Sequence, residues 1–352
     1  MPRGPDRGTK TEYPPARTTS IVEAMRVTFC DRCGAPLDAA WTEIVVVCQH
    51  CGAHNAPGKV GEPVPATMPD DGRPRLNVGG RTYVLEGRIG AGDACDVYRG
   101  RWVKRLGELC VIKVQRALSD SDLLRREWAM LERLHASSTP GAEHFTQRLP
   151  RMIAMGQLHL EGHDRLILVY GWRSGFVHTL EDVDRVHPDG VDARIATWIF
   201  KRQLELLGWV HTTDVMHGAI VPPHVLIHPR DHGATLVGWS AATTRPERLP
   251  AISRKWKAFY PEPVLKHHQV VPRADIAMAA RVTLAVTGAK RFDESGKFPG
   301  ALGRLMIAAA AGRFDSAWSL RDDLDQEALS AFGPPTYSPL QMPGWPATAQ
   351  GA

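Results

Sequence analysis

One stretch of the chain governs how the rest of it is interpreted: Met216-His217-Gly218-Ala219-Ile220-Val221-Pro222-Pro223-His224-Val225-Leu226. Before it, apolar residues recur at helical spacing from Ala193 to His211, which predicts a long helix. After it, the β-prone run 234–237 predicts a strand that leads into Gly238-Trp239-Ser240. The stretch is therefore predicted to be a loop between a helix and a strand, and it contains no acidic side chain.

Further towards the N-terminus, the chain carries a glycine-rich segment and a lysine-bearing strand. The segment 90–100 reads Gly-Ala-Gly-Asp-Ala-Cys-Asp-Val-Tyr-Arg-Gly, and the run 110–113 reads Cys-Val-Ile-Lys. Fourteen residues after Lys113 stands Glu127, within a segment from Asp122 to His135 whose apolar residues have the spacing of a helix. The region from about residue 77 to 331 is therefore predicted to be strand-rich at first and then mostly helical.

Together these segments resemble a protein kinase domain of the Ser/Thr kinase superfamily over roughly residues 77 to 330. The resemblance implies an α+β, bilobal fold with a β-rich N-lobe and an α-rich C-lobe. It implies a nucleotide site in which a hairpin covers the phosphates and a lysine pairs with a glutamate, with Tyr170 as gatekeeper. The residues implied for this site are Gly90, Gly92, Val97, Lys113 and Glu127. ATP is thus a candidate ligand, although Val111 stands where the family usually has alanine over the adenine.

A plainer interpretation of the same residues stays open. Any hairpin turn uses glycine, and Cys95 replaces the third glycine of the motif. Lys113 is then a cation at a strand edge, and Glu127 is a solvated residue of a helix.

The positions that carry kinase chemistry are replaced in the stretch quoted first. Aligned on His217 and Pro222, the family's catalytic aspartate becomes Ala219, its metal-binding asparagine becomes His224, and the aspartate of its Asp-Phe-Gly motif becomes Gly238. The resemblance then implies a pseudokinase with no catalytic residue and no Mg²⁺, acting as a regulator or scaffold. The alternative is an atypical ATP-dependent transferase or kinase that uses other carboxylates: Asp93, Asp96 or Asp231.

Other positions match residues that hold the fold of the family together. Asp275 is expected to accept backbone hydrogen bonds from the His217 loop. Glu262 and Arg313 are expected to form a buried ion pair, which would be costly to break because one charge would be left unpaired.

Four of the six cysteines form a metal-binding pattern: Cys30, Cys33, Cys48 and Cys51. Two Cys-x-x-Cys turns can supply four thiolates to one ion, which predicts a zinc ribbon with structural Zn²⁺. Two disulfides are the alternative, but nothing indicates export. A second metal site formed by His217, His224, His228 and His232 is a further alternative.

Composition sets the remaining expectations. The formal charge of +5 is mild for 352 residues, so nucleic acid is not an expected partner, and no apolar run suggests a membrane span or a signal sequence. A cytoplasmic protein with a protein partner is expected, and the basic segment Arg245–Lys257 is a candidate surface for it. The predicted organisation is as follows: a disordered tail at 1–26, the zinc ribbon at 27–55, a linker at 56–76, the kinase-like domain at 77–331 with lobes at about 77–171 and 172–331, and a disordered proline-rich tail at 332–352.

Overall fold

The computed structural model describes four short N-terminal strands and then residues 73–105, 108–160, 163–244 and 248–343. The four strands form two antiparallel hairpins. Their bounds are β1 (Arg26–Phe29) with β2 (Pro36–Ala39), and β3 (Val46–Val47) with β4 (His54–Asn55). The zinc ligands proposed from the sequence lie outside the described residues, and so do the predicted N-terminal tail up to residue 25 and most of the linker.

Residues 73–171 form the sheet lobe, an antiparallel sheet of six strands in the order β5-β6-β7-β8-β10-β9. The strands are β5 (Arg75–Val78), β6 (Arg81–Ala91), β7 (Cys95–Trp102), β8 (Leu109–Gln115), β9 (Met152–Leu160) and β10 (His163–Gly171). The two outer strands, β5 and β9, also contact each other, so the sheet curls towards closure. Gly79 permits this approach, because a Cβ there would lie 2.8 Å from the Cβ of Ala154 and its φ is +55°.

One long helix crosses the sheet lobe. It is α1 (Ser121–His135), and its buried residues Leu124, Glu127, Leu131 and Leu134 lie on one face, as the periodicity predicted. Leu124, Leu131 and Leu134 belong to the same continuous core as residues of the helices that follow in the chain. The two lobes are therefore joined by shared apolar packing as well as by the chain.

Residues 172–343 form the helical lobe. Its helices are α3 (Leu180–Val186), α4 (Ala193–Thr212), α5 (Glu262–His267), α6 (Pro272–Val286), α7 (Gly300–Ala310) and α8 (Ala317–Phe332). Its short strands are β11 (His178–Thr179), β12 (Val215–Met216), β13 (Val225–His228), β14 (Gly233–Leu236) and β15 (Thr243–Thr244). The predicted helix at 193–211 is confirmed as α4, which packs against α6 and α8 at the centre of the lobe. Among the described helices, none has the length and apolarity needed to cross a membrane.

The connection between α1 and β9 fastens the sheet lobe to α4. It contains the short helix α2 (Ala142–Phe145), and the Phe145 ring stacks on Trp209 with 5.6 Å between ring centroids. Arg148 donates hydrogen bonds to the backbone carbonyls of Arg202 at 2.6 Å and Ala234 at 3.1 Å. Movement of one lobe relative to the other would break these contacts.

The buried pair predicted between Glu262 and Arg313 is wrong. Glu262 lies in the first turn of α5 with its side chain 73% exposed, and it pairs along that helix with Lys266 at 2.5 Å. Arg313 is exposed. A half-buried arginine of α6 anchors this region instead: Arg281 donates to the carbonyls of Tyr260 at 2.8 Å and Ala310 at 3.0 Å.

The structure also differs from the disordered tail predicted at 332–352. Residues 333–343 run in extended and turn conformations across the helical lobe, where Leu340 and Met342 are buried. Tyr337 stacks on His232 with 4.7 Å between ring centroids. The prolines prevent a helix in this segment, but its apolar side chains still find a surface to cover. Residues 344–352 lie outside the described part of the chain.

Candidate functional site

The glycine-rich segment forms the hairpin that the sequence predicted. Strands β6 and β7 pair in antiparallel fashion, with Gly90 opposite Val97, and the Gly92 amide donates to the Cys95 carbonyl at 2.8 Å to close the turn. Burial raises the pKa of the Cys95 thiol to about 11. This cysteine is therefore protonated at neutral pH and is not a nucleophilic thiolate.

The structure brings Lys113 and Glu127 together. Lys113 projects from β8 and Glu127 from α1, and the ammonium Nζ lies 2.6 Å from the carboxylate Oε1 with both side chains buried. Burial alone disfavours the charged amine, but the negative charge of Glu127 and the hydrogen bond to it raise the pKa of Lys113 above its ordinary value. The pair is therefore a buried ion pair, which excludes the interpretation as a strand-edge cation and a solvated glutamate.

Tyr170 adds a contact that sequence reasoning missed. Its hydroxyl donates to Oε1 of Glu127 at 3.1 Å from the end of β10. Burial, and then the negative charge of Glu127, raise the pKa of Tyr170 well above its ordinary value, so the phenol keeps its proton. Glu127 thus accepts from two side chains. The pairing of β8 with β10 places Tyr170 opposite Val111, a register that only the folded sheet reveals.

The resemblance to kinases implies a nucleotide cleft between the two lobes, and on its helical side Asp275 fixes the loop that follows β12. Its two carboxylate oxygens accept from the backbone amides of His217 at 2.8 Å and Gly218 at 2.9 Å, as predicted, and His211 Nε2 lies 3.1 Å from Oδ2. Gly218 has a φ of +72°, and a Cβ there would lie 2.7 Å from the Ala241 carbonyl oxygen. Glycine is therefore required at this position by the loop geometry.

His217 is a structural residue within this loop. Its ring is fully buried, Nε2 donates to the Val237 carbonyl at 3.1 Å, and Nδ1 accepts from the Ala219 amide at 3.3 Å. Burial lowers the pKa of His217 to about 3. The neutral ring therefore links the loop to the segment that follows β14. Within the described ranges, no group of three or more His, Cys, Asp or Glu side chains is arranged to hold a metal ion.

The positions that align with the family's catalytic residues lie close together. Ala219 is buried, and His224 Nδ1 donates to the Ala219 carbonyl at 2.8 Å. Gly238 has a φ of +78°, and a Cβ on it would lie 2.6 Å from the ring atoms of His224. The imidazole of His224 thus fills the space into which any side chain at position 238 would project.

Comparison with known proteins bears on the fold alone. No family model matches the chain, and no curated protein matches it. Among solved structures, a match is "Crystal structure of BubR1 kinase domain", with a TM-score of 0.54 and 13% sequence identity over 76% of this chain and 85% of that chain. The fold is that of a protein kinase domain. The predicted α+β fold with a sheet lobe and a helical lobe is thereby confirmed.

Within this kinase-like fold, the residues present fit a nucleotide better than a magnesium ion. A hairpin, a buried lysine and its glutamate partner are present, and these are the groups with which protein kinases hold nucleotide phosphates. Magnesium requires oxygen ligands, and the aligned positions hold Ala219, His224 and Gly238. Of the alternative carboxylates, Asp96 pairs with Arg88 at 3.5 Å and Arg116 at 3.8 Å. Asp231 lies 3.5 Å from His228 Nε2.

The basic segment Arg245–Lys257 lies partly outside the described residues, since the structure does not describe 245–247. In the remainder, Arg248, Arg254 and Lys257 are exposed. Lys255 pairs with Glu181 at 2.6 Å and stands 4.6 Å from the Trp256 ring centroid. A role for this surface in partner binding stays a prediction.

Proposed function

We propose that the kinase-like domain is a pseudokinase, a regulator or scaffold that does not transfer phosphate. The observation that carries this proposal is the placement of His224 against Gly238. An aspartate at position 238 would clash with the imidazole of His224. Glycine at position 238 therefore leaves room for histidine at position 224.

The chemistry of phosphoryl transfer supports the same conclusion. A positioned general base contributes a factor of about 10² to 10⁴ in rate, and the buried methyl group of Ala219 cannot accept a proton. Protein kinases stabilise the transferring phosphoryl group chiefly through metal ions held by side-chain oxygen ligands. At the aligned positions this domain offers glycine and an imidazole, which is a poor ligand for magnesium.

Nucleotide binding is a separate part of the proposal. The buried Lys113–Glu127 pair and the β6–β7 hairpin support a site that takes ATP without magnesium. In this role ATP would stabilise one arrangement of the two lobes, because it would contact both. The partner would be a protein that recognises the kinase-like surface, the zinc ribbon, or both together, with the basic segment Arg245–Lys257 favouring an acidic surface.

The test combines phosphoryl transfer with binding on the zinc-loaded full chain. Radiolabelled ATP with Mg²⁺ is incubated with the protein alone and with generic acceptor proteins, beside a Lys113→Ala control. We expect no incorporation above that control. In parallel, thermal melting with ATP should rise by several degrees for the native chain, equally with and without Mg²⁺, and should stay constant for Lys113→Ala.

The same experiment decides between the proposal and its alternative. Incorporation of phosphate that requires both Lys113 and Mg²⁺ would overturn the assignment as a pseudokinase. It would favour an atypical transferase, with Asp93 at the hairpin turn as the first residue to substitute. A constant melting temperature in every condition would leave a scaffold without nucleotide.

A further inference from the structure

His224 has one ring nitrogen committed and one available. Because a carbonyl oxygen can only accept, the 2.8 Å contact with Ala219 places a proton on Nδ1. Burial lowers the pKa of His224 from its ordinary value, so the ring is neutral at pH 7 and Nε2 carries a lone pair. The side chain is only half-buried. The ring lies against Gly238, the position at which the resemblance to kinases implies a metal-binding carboxylate.

The charges around His224 oppose a polyphosphate in the resting state. The charged side chains with the largest effect on it are Lys113 on β8, which lowers its pKa, and Glu127 on α1 and Asp93 in the hairpin turn, which raise it. Lys113 is already paired with Glu127 at 2.6 Å, and Asp93 adds a further negative charge. A nucleotide triphosphate at this site needs another cation.

The other titratable groups nearby cannot supply that cation. The ring centroid of His217 lies 6.2 Å from that of His224, but its two nitrogens are both hydrogen-bonded and its pKa of about 3 keeps it neutral. Beyond it, Asp275 is committed to the loop amides. The Cys95 thiol is uncharged at neutral pH. Among these groups, His224 is the one that can gain a positive charge near neutral pH.

We propose that His224 takes up a proton when nucleotide binds and donates Nε2–H to a phosphate oxygen, so that an imidazolium replaces the divalent cation. This inference rests on the nucleotide site of the proposed function. No bond is made or broken other than the proton transfer from solvent to Nε2. The phosphates stabilise the charged ring because they replace water with an anionic acceptor.

The sign of the pH dependence follows by linkage. The pKa of His224 is lowered in the free protein and raised by the bound anion, so the complex carries more protons between these two values. Affinity for nucleotide therefore rises as pH falls through that interval, by at most about tenfold per pH unit. Above the pKa of the complex, affinity becomes independent of this group.

The experiment is isothermal titration of the zinc-loaded full chain with ATP at pH 8, 7 and 6 in magnesium-free buffer. Trace metal is removed by resin treatment of the buffer, since a chelator would compete for the ribbon zinc. Titrations at each pH are repeated in two buffers of different ionisation enthalpy, which gives the number of protons taken up per ATP. The matched variants are His224→Gln, which cannot gain the proton, and His159→Gln, which removes a histidine that is 71% exposed at its side chain.

We expect the native chain and His159→Gln to gain affinity on acidification several-fold more steeply than His224→Gln, whose slope reports the titration of ATP itself. Uptake of up to one additional proton should accompany binding to the native chain. Equal slopes and equal proton uptake in the native chain and His224→Gln would overturn the proposal, and so would binding that requires Mg²⁺. If His224→Gln does not fold, the number of protons taken up when the native chain binds ATP still decides. An uptake no greater than the titration of ATP itself accounts for would refute the role of His224.

Two outcomes separate this inference from the proposed function. Failure to bind ATP at any pH ends the inference and leaves a non-catalytic scaffold standing. Phosphate transfer by a chain that shows the His224-dependent proton uptake ends the assignment as a pseudokinase and leaves the role of His224 intact.

Discussion

The two walls of the cleft differ in what they have kept. The upper wall, formed by Lys113, Glu127 and Tyr170 in the sheet lobe, keeps a buried ion pair of the kind that holds nucleotide phosphates in kinases. The lower wall, formed by residues 217–224 and Gly238 in the helical lobe, has its backbone anchored to Asp275 and carries no carboxylate of its own. In the proposed pseudokinase, the interactions that shape the cleft are therefore separable from those that would perform the chemistry.

The largest expected effect concerns the upper wall. Replacing Lys113 with Met leaves Glu127, which is 2% exposed, without its cation, and should lower the free energy of unfolding by about 3 kcal/mol. Adding Glu127→Gln removes the stranded charge while its amide oxygen still accepts from Tyr170. The double variant should therefore recover more than half of the loss, as measured by urea denaturation.

If the double variant were as unstable as Lys113→Met, the loss of stability would not come from the unpaired carboxylate of Glu127. The upper wall would then not be stabilised by a buried ion pair. Arg273→Met serves as the control, because Arg273 pairs with Asp315 at 2.6 Å with both side chains more than half exposed. An exposed pair of this kind contributes at most about 1 kcal/mol.

The next effect concerns the lower wall. Gly238→Asp restores the carboxylate of the family motif, but it places a Cβ 2.6 Å from His224 at a φ of +78°. Strain and overpacking together should lower the free energy of unfolding by about 3 kcal/mol. Combining it with His224→Ala removes the clash, so the two changes should be non-additive by about 2 kcal/mol in a double-mutant cycle. Additive effects would mean that the imidazole does not fill the space beside Gly238.

The two walls also differ in how far sequence predicts them. The periodicity of α1 and α4 is a local pattern, while the pairing of Lys113 with Glu127 and the anchoring role of Asp275 are implied by the resemblance to kinases. The structure places these residues as expected. The hydrogen bond from Tyr170 to Glu127 joins residues 43 positions apart, and no local pattern specifies it.

The errors have a similar cause. Glu262 was paired with Arg313 by alignment alone, but a glutamate in the first turn of an exposed helix finds a partner four residues along the same helix. The tail at 333–343 lacks periodicity, yet Leu340 and Met342 are buried because the helical lobe offers them an apolar surface. Burial of an isolated side chain depends on the finished surface of the protein, which composition does not report.

The smallest expected effect is a pH dependence of stability that comes from the lower wall alone. His217 belongs to the lower wall and has a folded-state pKa of about 3, while an unfolded histidine has a pKa of about 6.5. Between these values the unfolded chain binds the additional proton, so stability falls as pH falls below about 6.5. The cost from this residue should reach about 2 kcal/mol at pH 5 relative to pH 7. A His217→Asn variant should be less stable at pH 7 but should show a flatter dependence on pH in urea denaturation. An unchanged pH slope in the variant would show that the lower wall is not held by a neutral imidazole.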